Sequence, residues 1–476
     1  MPSLTFHRNL PVTTLALLIA ARLTAAEVDG VPVPAPTPVP APTAVVDDRA
    51  ALLKRLDALD ARVNGLEKDL EKEKAVASSR SQSGLSFGAY GEVKFGLRQN
   101  PDDDGSWQNG FDNGRLSLNP SYRVNDYILF NAEIDFEHGG IAFANDDKLG
   151  GAIEVEQAFI DITVNEHLHW RPPGVDLVPF GYINLYHEPT LFYSVDRPQL
   201  ANGLVPTTWF AGSTSILGIL AGPVTYQFQI SSSLVDDGGN VNDRSAAGGP
   251  ADLGYDAGVN GKEALTLARS TTGDFSQETN ALGYALRLAY DVPSGTGLAG
   301  STSVYFSPNI VPRYAYASDA AGVTVGDLDA CSLIMFDTEM RYRPARSGIE
   351  LRGEGLIEQF SSPGNLRANN DGDAENNVGR IMWGASAEVA WHVITDGGWD
   401  VVPFGRFTSQ TLQTSGVAGL DDNAPSGSGK AEYYTVGLAV FPVPELVFKV
   451  DYQAVRDDSS AGPQSDSVLG GVGFLF

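Results

Sequence analysis

The sequence predicts an all-β transmembrane antiparallel β-barrel of about sixteen strands, preceded by a short α-helical coiled coil. Three observations carry this. From Leu85 onward, apolar and polar residues alternate in segments of about ten residues, the period of a strand with one greasy face. The connections between those segments alternate long and short. The chain also ends on the uncharged, alternating segment "SVLGGVGFLF", although its 59 acidic and 32 basic residues give a formal net charge of -27.

The elements before the barrel follow in order. His7 and Arg8 precede "LPVTTLALLIAARLTAA", a short apolar run ending in small residues, so residues 1–26 read as an export signal cleaved after Ala26; the other reading is an N-terminal membrane anchor, for which the run is short. Residues 27–46 carry alternate prolines in "VPVPAPTPVPAPTAV", an extended linker with no core of its own. Over residues 47–77, Leu52, Leu56, Leu59, Val63, Leu66 and Leu70 are spaced 4, 3, 4, 3, 4, with Arg55, Arg62, Glu67 and Lys68 between them. That is a coiled coil of about three heptads, and it implies self-association. The other reading is one amphipathic helix docked on its own chain.

Residues 85–476 then form the barrel. "LSFGAYGEVKFGL" puts Leu85, Phe87, Val93, Phe95 and Leu97 on one face and Ser86, Tyr90, Glu92 and Lys94 on the other. "ILFNAEIDFE" sets Ile128, Phe130, Ile134 and Phe136 against Asn131, Glu133, Asp135 and Glu137. "RIMWGASAEVAWHV" and "LVFKVDYQAV" repeat the pattern with Trp383, Trp391, Phe448 and Tyr452 among the apolar positions. Strand starts fall near residues 85, 114, 127, 154, 176, 212, 223, 280, 298, 332, 347, 380, 399, 431, 444 and 467. Between them, tight links such as "AGP", "PARS", "TDGG" and "PVP" alternate with long segments, and "NEHLHWRPPGV" alone interrupts the rhythm. Tight turns at one rim and long loops at the other are the layout of an outer-membrane barrel. An even strand count places both ends of the barrel on the turn side. The apolar face of the last strand then looks at lipid, and closure removes the unpaired edges that lipid would penalise.

Composition narrows the function. The acidic balance excludes binding to nucleic acid through phosphates. Cys331 is the sole cysteine, which leaves no disulfide framework and no cysteine-based metal site. No cofactor is implied. Assigning each strand's polar face to the lumen gives Lys94, Arg98, Arg115, Arg123, Glu133, Asp135, Arg341, Arg343, Arg352 and Arg406 as lining candidates, with acidic residues nearly balancing basic ones. The long loops are rich in aspartate, as at Asp102, Asp146, Asp236, Asp421 and Asp457, so the mouth should concentrate cations and repel free anions. His167 and His169 have i, i+2 spacing on a strand but no carboxylate on the same face, a weak metal signal. The acidic loops lack the spacing of a dedicated calcium loop. His138, His187 and His392 sit without a recognisable nucleophile partner, which argues against a barrel enzyme.

At this point the chain resembles the porins of Gram-negative outer membranes. More narrowly, a coiled coil before a sixteen-stranded barrel, together with "NGRLSLNPSYRVNDYILFNAEIDFE" and "EQAFIDITVNEHLHWRPPGVDLVPFGYINLYHEP", resembles the phosphate-selective porins O and P. The shared Pro-Phe-Gly element stands at Pro179, Phe180 and Gly181 and recurs at Pro403. The resemblance implies a water-filled channel in the outer membrane of a Gram-negative-type bacterium, passing ions and small hydrophilic solutes, with phosphate or other anions among them. It implies barrel-assembly machinery that reads the terminal Phe476, contact with outer-membrane lipid and lipopolysaccharide, and a homo-oligomer with a trimer favoured. By the same resemblance the segment "HEPTLFYSVDRPQLANGLVPTTWFA" folds into the lumen, making Glu188, Asp196 and Arg197 the constriction candidates. The competing function is a structural protein tethering the envelope through its coiled coil.

Overall fold

The computed structural model describes residues 84–99, 106–139, 151–198, 200, 204–206, 208–236, 267–269, 279, 281–291, 297–311, 329–366, 380–395, 397–414, 430–457 and 466–476. The signal, linker and coiled coil read from residues 1–77 lie outside them. In chain order the first wall strands are β1 (Gly84–Gln99), β2 (Trp107–Arg123), β3 (Ile128–Glu137), β4 (Ile153–Asn165) and β5 (Leu168–Leu177). After helix α1 (Tyr182–Leu185) come β6 (Phe210–Ala221) and β7 (Val224–Ser232). A separate two-stranded sheet pairs β8 (Leu234–Asp236) with β9 (Leu267–Arg269). The wall resumes with β10 (Leu282–Asp291), β11 (Leu298–Ser307), β12 (Leu333–Tyr342), β13 (Gly348–Phe360), β14 (Ile381–Ile394), β15 (Asp400–Thr414), β16 (Lys430–Val443), β17 (Leu446–Asp457) and β18 (Ser467–Leu475).

Sixteen of these strands form one closed antiparallel barrel in which each pairs with its neighbours in sequence and β18 returns to β1. The seam is tied at its last residue. Phe476 N–H donates to the Ala89 carbonyl at 2.8 Å, Ala89 N–H donates to the Phe476 carbonyl at 2.7 Å, and the Phe474 and Phe476 rings stack. Closure leaves the barrel wall without the unpaired edge that lipid cannot satisfy.

The alternation sorts as the sequence expects. In β1, Leu85, Phe87, Val93, Phe95 and Leu97 are exposed on the outside, while Tyr90 and Glu92 are buried inside. Leu116, Ile160, Leu286, Phe336, Leu351, Val389, Val436 and Val450 continue the exposed apolar band. A lysine or arginine in the middle of such a band costs about 2–4 kcal/mol at a bilayer midplane. Aromatic side chains border it: Tyr122, Tyr127, Trp170, Tyr290, Tyr342 and Trp391 near the rim of tight turns, and Phe111, Tyr284, Trp383, Tyr434 and Tyr452 toward the rim of long loops. Two such girdles are the mark of a membrane-spanning barrel.

Three strand readings need correction. The fifth strand starts at Leu168, not near residue 176, so the interval that broke the long–short rhythm is itself strand. Its turn is the dipeptide Glu166–His167; "RPP" within it hid the strand because proline cannot join a ladder, and the register shifts between Arg171 and Gly174. The alternation of short and long connections is therefore unbroken. Second, β2 starts at Trp107, seven residues ahead of the expected start, pairing Trp107 with Gln99. The Asn and Gly residues of "WQNGFDNG" carry turn chemistry that masked this extension. Third, the two Pro-Phe-Gly stretches are different objects: residues 179–181 lie beyond the end of β5, with Gly181 at φ 71, whereas Pro403 to Gly405 run inside β15.

Candidate functional site

The described parts of residues 178–209, between β5 and β6, leave the wall and cross the interior. The base of this loop is held by a small core. Phe180 and Trp209 pack with ring centroids 5.7 Å apart, and Trp209 meets Tyr305 of β11 at 4.7 Å. Asn184 of α1 ties both ends together: its amide donates to the Val178 carbonyl at 2.8 Å and the Trp209 carbonyl at 3.1 Å, and its oxygen accepts from Trp209 N–H at 2.6 Å. An amide offers donor and acceptor at once, so one side chain closes the loop's neck.

The tip fastens to the far wall. Arg352 of β13 donates to the Leu191 carbonyl at 3.0 Å and lies 4.5 Å over the Tyr193 ring. Arg406 of β15 reaches Ser194 Oγ at 2.9 Å, and Lys449 of β17 reaches the Ser194 carbonyl at 2.9 Å. Val195 N–H donates to Asp451, also of β17. β15 lies eight strands round a sixteen-strand circle from β5, so the loop spans the full bore. The opposite wall makes room for it with missing side chains. A Cβ on Gly473 would stand 2.5 Å from Pro189 Cβ, one on Gly471 would stand 3.2 Å from Val195, and one on Gly384 would strike Leu200.

Of the constriction candidates, Asp196 is bound tightly to β1: Arg98 lies 2.6 Å from one carboxylate oxygen and Lys94 3.2 Å from the other. Arg197 is buried and turns back to Thr208 Oγ1 at 2.9 Å, within the loop itself. Glu188 is half-buried with one carboxylate oxygen lacking a hydrogen-bond partner among the described residues. The lining candidates divide. Arg115, Glu133 and Asp135 are buried together behind the loop, and Arg352 and Arg406 hold its tip and share Glu388 at 3.7 and 3.2 Å. Arg341 is exposed at the end of β12, Arg123 is half-buried at the end of β2, and Arg343 lies in the next tight turn, bonded to the Arg346 carbonyl at 2.6 Å. These last three stand at the turn rim, because period-two alternation fixes the face of a residue and says nothing of its height.

Two histidine–tyrosine latches escaped the sequence. His187, on the loop, meets Tyr90 of β1 at 2.8 Å, and Tyr90 donates to Glu133 at 2.6 Å. Glu156 approaches the same imidazole at 3.6 Å. The second latch reverses the roles: Tyr193 of the loop meets wall residue His392 at 3.0 Å, and His392 faces Asp400 at 2.8 Å and Glu350 at 3.3 Å. Burial opposes the charged form of His187, but Glu133 and Glu156 outweigh it and hold the imidazole above its ordinary pKa. Burial likewise raises the Tyr193 phenol, which therefore stays neutral and able to donate. Glu156 points inward for a specific reason. Glu133 pairs with Gln157 and Ile134 with Val155, leaving Glu156 as the extra residue of a β-bulge. The weak pair His167 and His169 is split: His167 sits in the tight turn, and His169 faces Asp161 at 2.9 Å, a carboxylate that strand periodicity had not placed beside it.

Among the described residues, the buried charged groups are twelve carboxylates against five lysines and arginines. Arg98, Arg115, Arg287, Arg352, Arg406 and Lys94 each lie within 4.0 Å of a carboxylate. Asp337 and Glu358, fully buried on β12 and β13, have no hydrogen-bond or ion-pair partner among the described residues. The arrangement is suited to sorting small charged solutes by field and bore.

No family model matches the sequence. An uncharacterized protein of Aquifex aeolicus (strain VF5) is 26% identical over 399 residues, covering 83% of this chain and 80% of that one. Among solved structures, Salmonella typhi OmpF in complex with daunomycin aligns over 83% of this chain and 99% of its own, with a TM-score of 0.50 at 11% identity. The outer membrane channel DcaP of Acinetobacter baumannii aligns over 83% and 97% with a TM-score of 0.49 at 11% identity. The chain thus shares the sixteen-strand barrel fold of outer-membrane porins.

Proposed function

We propose that this chain is an outer-membrane porin, a water-filled barrel for passive diffusion of ions and small hydrophilic solutes, with residues 178–209 setting its bore. The observation that carries the reading is the loop fastened across the lumen to the diametrically opposite wall by Arg352, Arg406 and Lys449. An anchor or tether has no need of a charged internal partition, whereas a selective pore does. Lipid and lipopolysaccharide surround the apolar band, the terminal strand with Phe476 addresses the assembly machinery, and a homo-oligomer, a trimer first, is the assembly to look for.

On selectivity, the reading favours small cations and neutral solutes over phosphate. Lys94, Arg98, Arg115, Arg287, Arg352 and Arg406 each lie within 4.0 Å of a carboxylate, and the aspartate-rich loop sequences add negative charge. The test is the reversal potential of the refolded barrel in a planar bilayer under a KCl gradient. Stepwise openings with a cation-selective potential support the reading. An anion-selective potential overturns the ion preference, and folded oligomers that never conduct overturn the porin.

A further inference from the structure

We propose that Glu133, Glu156 and His187 bind one divalent metal ion of the zinc or manganese class, which clamps the lumen loop to the β3–β4 wall. The three side chains come from β3, β4 and the loop, all are buried, and one ligand atom of each lies within 4.8 Å of the others. His187 Nε2 stands 3.8 Å from Glu133 Oε1 and 3.6 Å from Glu156 Oε2. Those separations are too long for hydrogen bonds. They approach the edge of a tetrahedron built on metal–ligand bonds of about 2.0–2.2 Å, which is about 3.3–3.6 Å.

Further observations point to a cation in that space. His187 Nδ1 donates to the Asn184 carbonyl at 2.9 Å, the usual outer-shell support of a ligating imidazole, and Nε2 is turned to the carboxylates; without metal Nε2 also donates to the Tyr90 hydroxyl at 2.8 Å, a proton and a bond that the metal ion replaces. Glu156 Oε2 is buried with no hydrogen-bond partner among the described residues, and the bulge in β4 is what aims it there. Glu133 is already oriented by Tyr90 at 2.6 Å, Ser117 at 2.9 Å and Gln157. Charge requires compensation as well: Glu133, Asp135 and Glu156 are all buried, Arg115 lies 3.9 Å from Asp135, and neither oxygen of Asp135 has a hydrogen-bond partner among the described residues. Two carboxylates with one imidazole suit zinc or manganese better than the all-oxygen sets of calcium.

The test uses the full chain, refolded in detergent, stripped with chelator and titrated with Mn²⁺, bound metal being read by electron paramagnetic resonance and nitrogen coupling by electron spin echo modulation. The expected result is one tight equivalent per chain with imidazole nitrogen coupling, lost in His187→Ala and in the near-isosteric Glu156→Gln, and retained in His169→Ala and His138→Ala. Should His187→Ala fail to assemble, Glu156→Gln decides alone. Folded wild type that binds no equivalent means that a proton on Nε2 fills the gap, and an equivalent surviving both substitutions means adventitious binding at another histidine; either overturns the proposal. Conductance is not part of the readout, so failure here leaves the porin reading standing.

Discussion

Asp196→Asn removes one negative charge from the loop while keeping the shape of the side chain. In the native protein that carboxylate lies 2.6 Å from Arg98 and 3.2 Å from Lys94, while Lys94 has a second partner in Glu92 at 3.0 Å. The substitution therefore removes a carboxylate charge from beside both Arg98 and Lys94, a gain of one positive charge beside the solute path. At 4 Å in water a unit charge changes an ion's energy by about 1 kcal/mol, and by about 4 kcal/mol at an effective dielectric near 20. The side chains of Lys94 and Arg98 are only 13% and 26% exposed, so the value in water is a lower bound. It corresponds to roughly a fivefold change in the local concentration of each ion. The expectation is a shift of the permeability ratio toward chloride by at least that factor, read as reversal potential in a planar bilayer. An unchanged potential, or a shift toward cations, would refute the placement of Asp196 beside the path.

Other perturbations test other parts. Gly473→Ala puts a methyl group 2.5 Å from Pro189 Cβ, an overpacking of about 1–3 kcal/mol that should displace the loop and give larger, noisier openings; Gly353→Ala, whose Cβ meets nothing closer than 3.8 Å, should leave the trace unchanged. Removing Phe476 deletes both backbone hydrogen bonds to Ala89 and should cost about 1–3 kcal/mol, seen as a lower yield of heat-modifiable, folded protein with normal conductance in the barrels that do form. Deleting residues 47–77 should leave single-channel conductance intact; loss of envelope integrity with an unaltered channel would instead favour the tether.

The wall was legible because lipid enforces period two. Leu85, Phe87, Ile128, Trp383 and Tyr452 could be assigned to the outside from spacing alone, and closure followed from the cost of an unpaired edge in lipid. What hid was whatever broke the period. Arg171, Pro172 and Pro173 masked the start of β5, and with it the true base of the loop. Glu156 was assigned no role because a bulge turned it inward against the alternation. His187 and His392 looked solitary because their tyrosine partners are 97 and 199 residues away in sequence. Asp196 was singled out only by a family resemblance in loop position, and its ion pairs with Lys94 and Arg98 could not be read from either segment alone. The glycines of "SVLGGVGFLF" were visible from the start, but their purpose was not: Gly471 and Gly473 leave the inner face of the last strand bare where Val195 and Pro189 press against it.

That loop has a consequence for the order of assembly. Its fastenings join residues 191–196 to Arg352, Arg406, Lys449 and Asp451, partners up to 256 positions later in the chain. Contacts so distant in sequence form late, because chain closure must precede them. A barrel that had not yet received β17 and β18 would offer the loop neither Lys449 nor the bare strip at Gly471 and Gly473, so the loop would find no seat. Docking is thereby conditional on completing the circle. A protease site engineered into the loop would act as a clock for closure, with the cut chain accumulating while the seam is open and protection appearing once β18 has met β1.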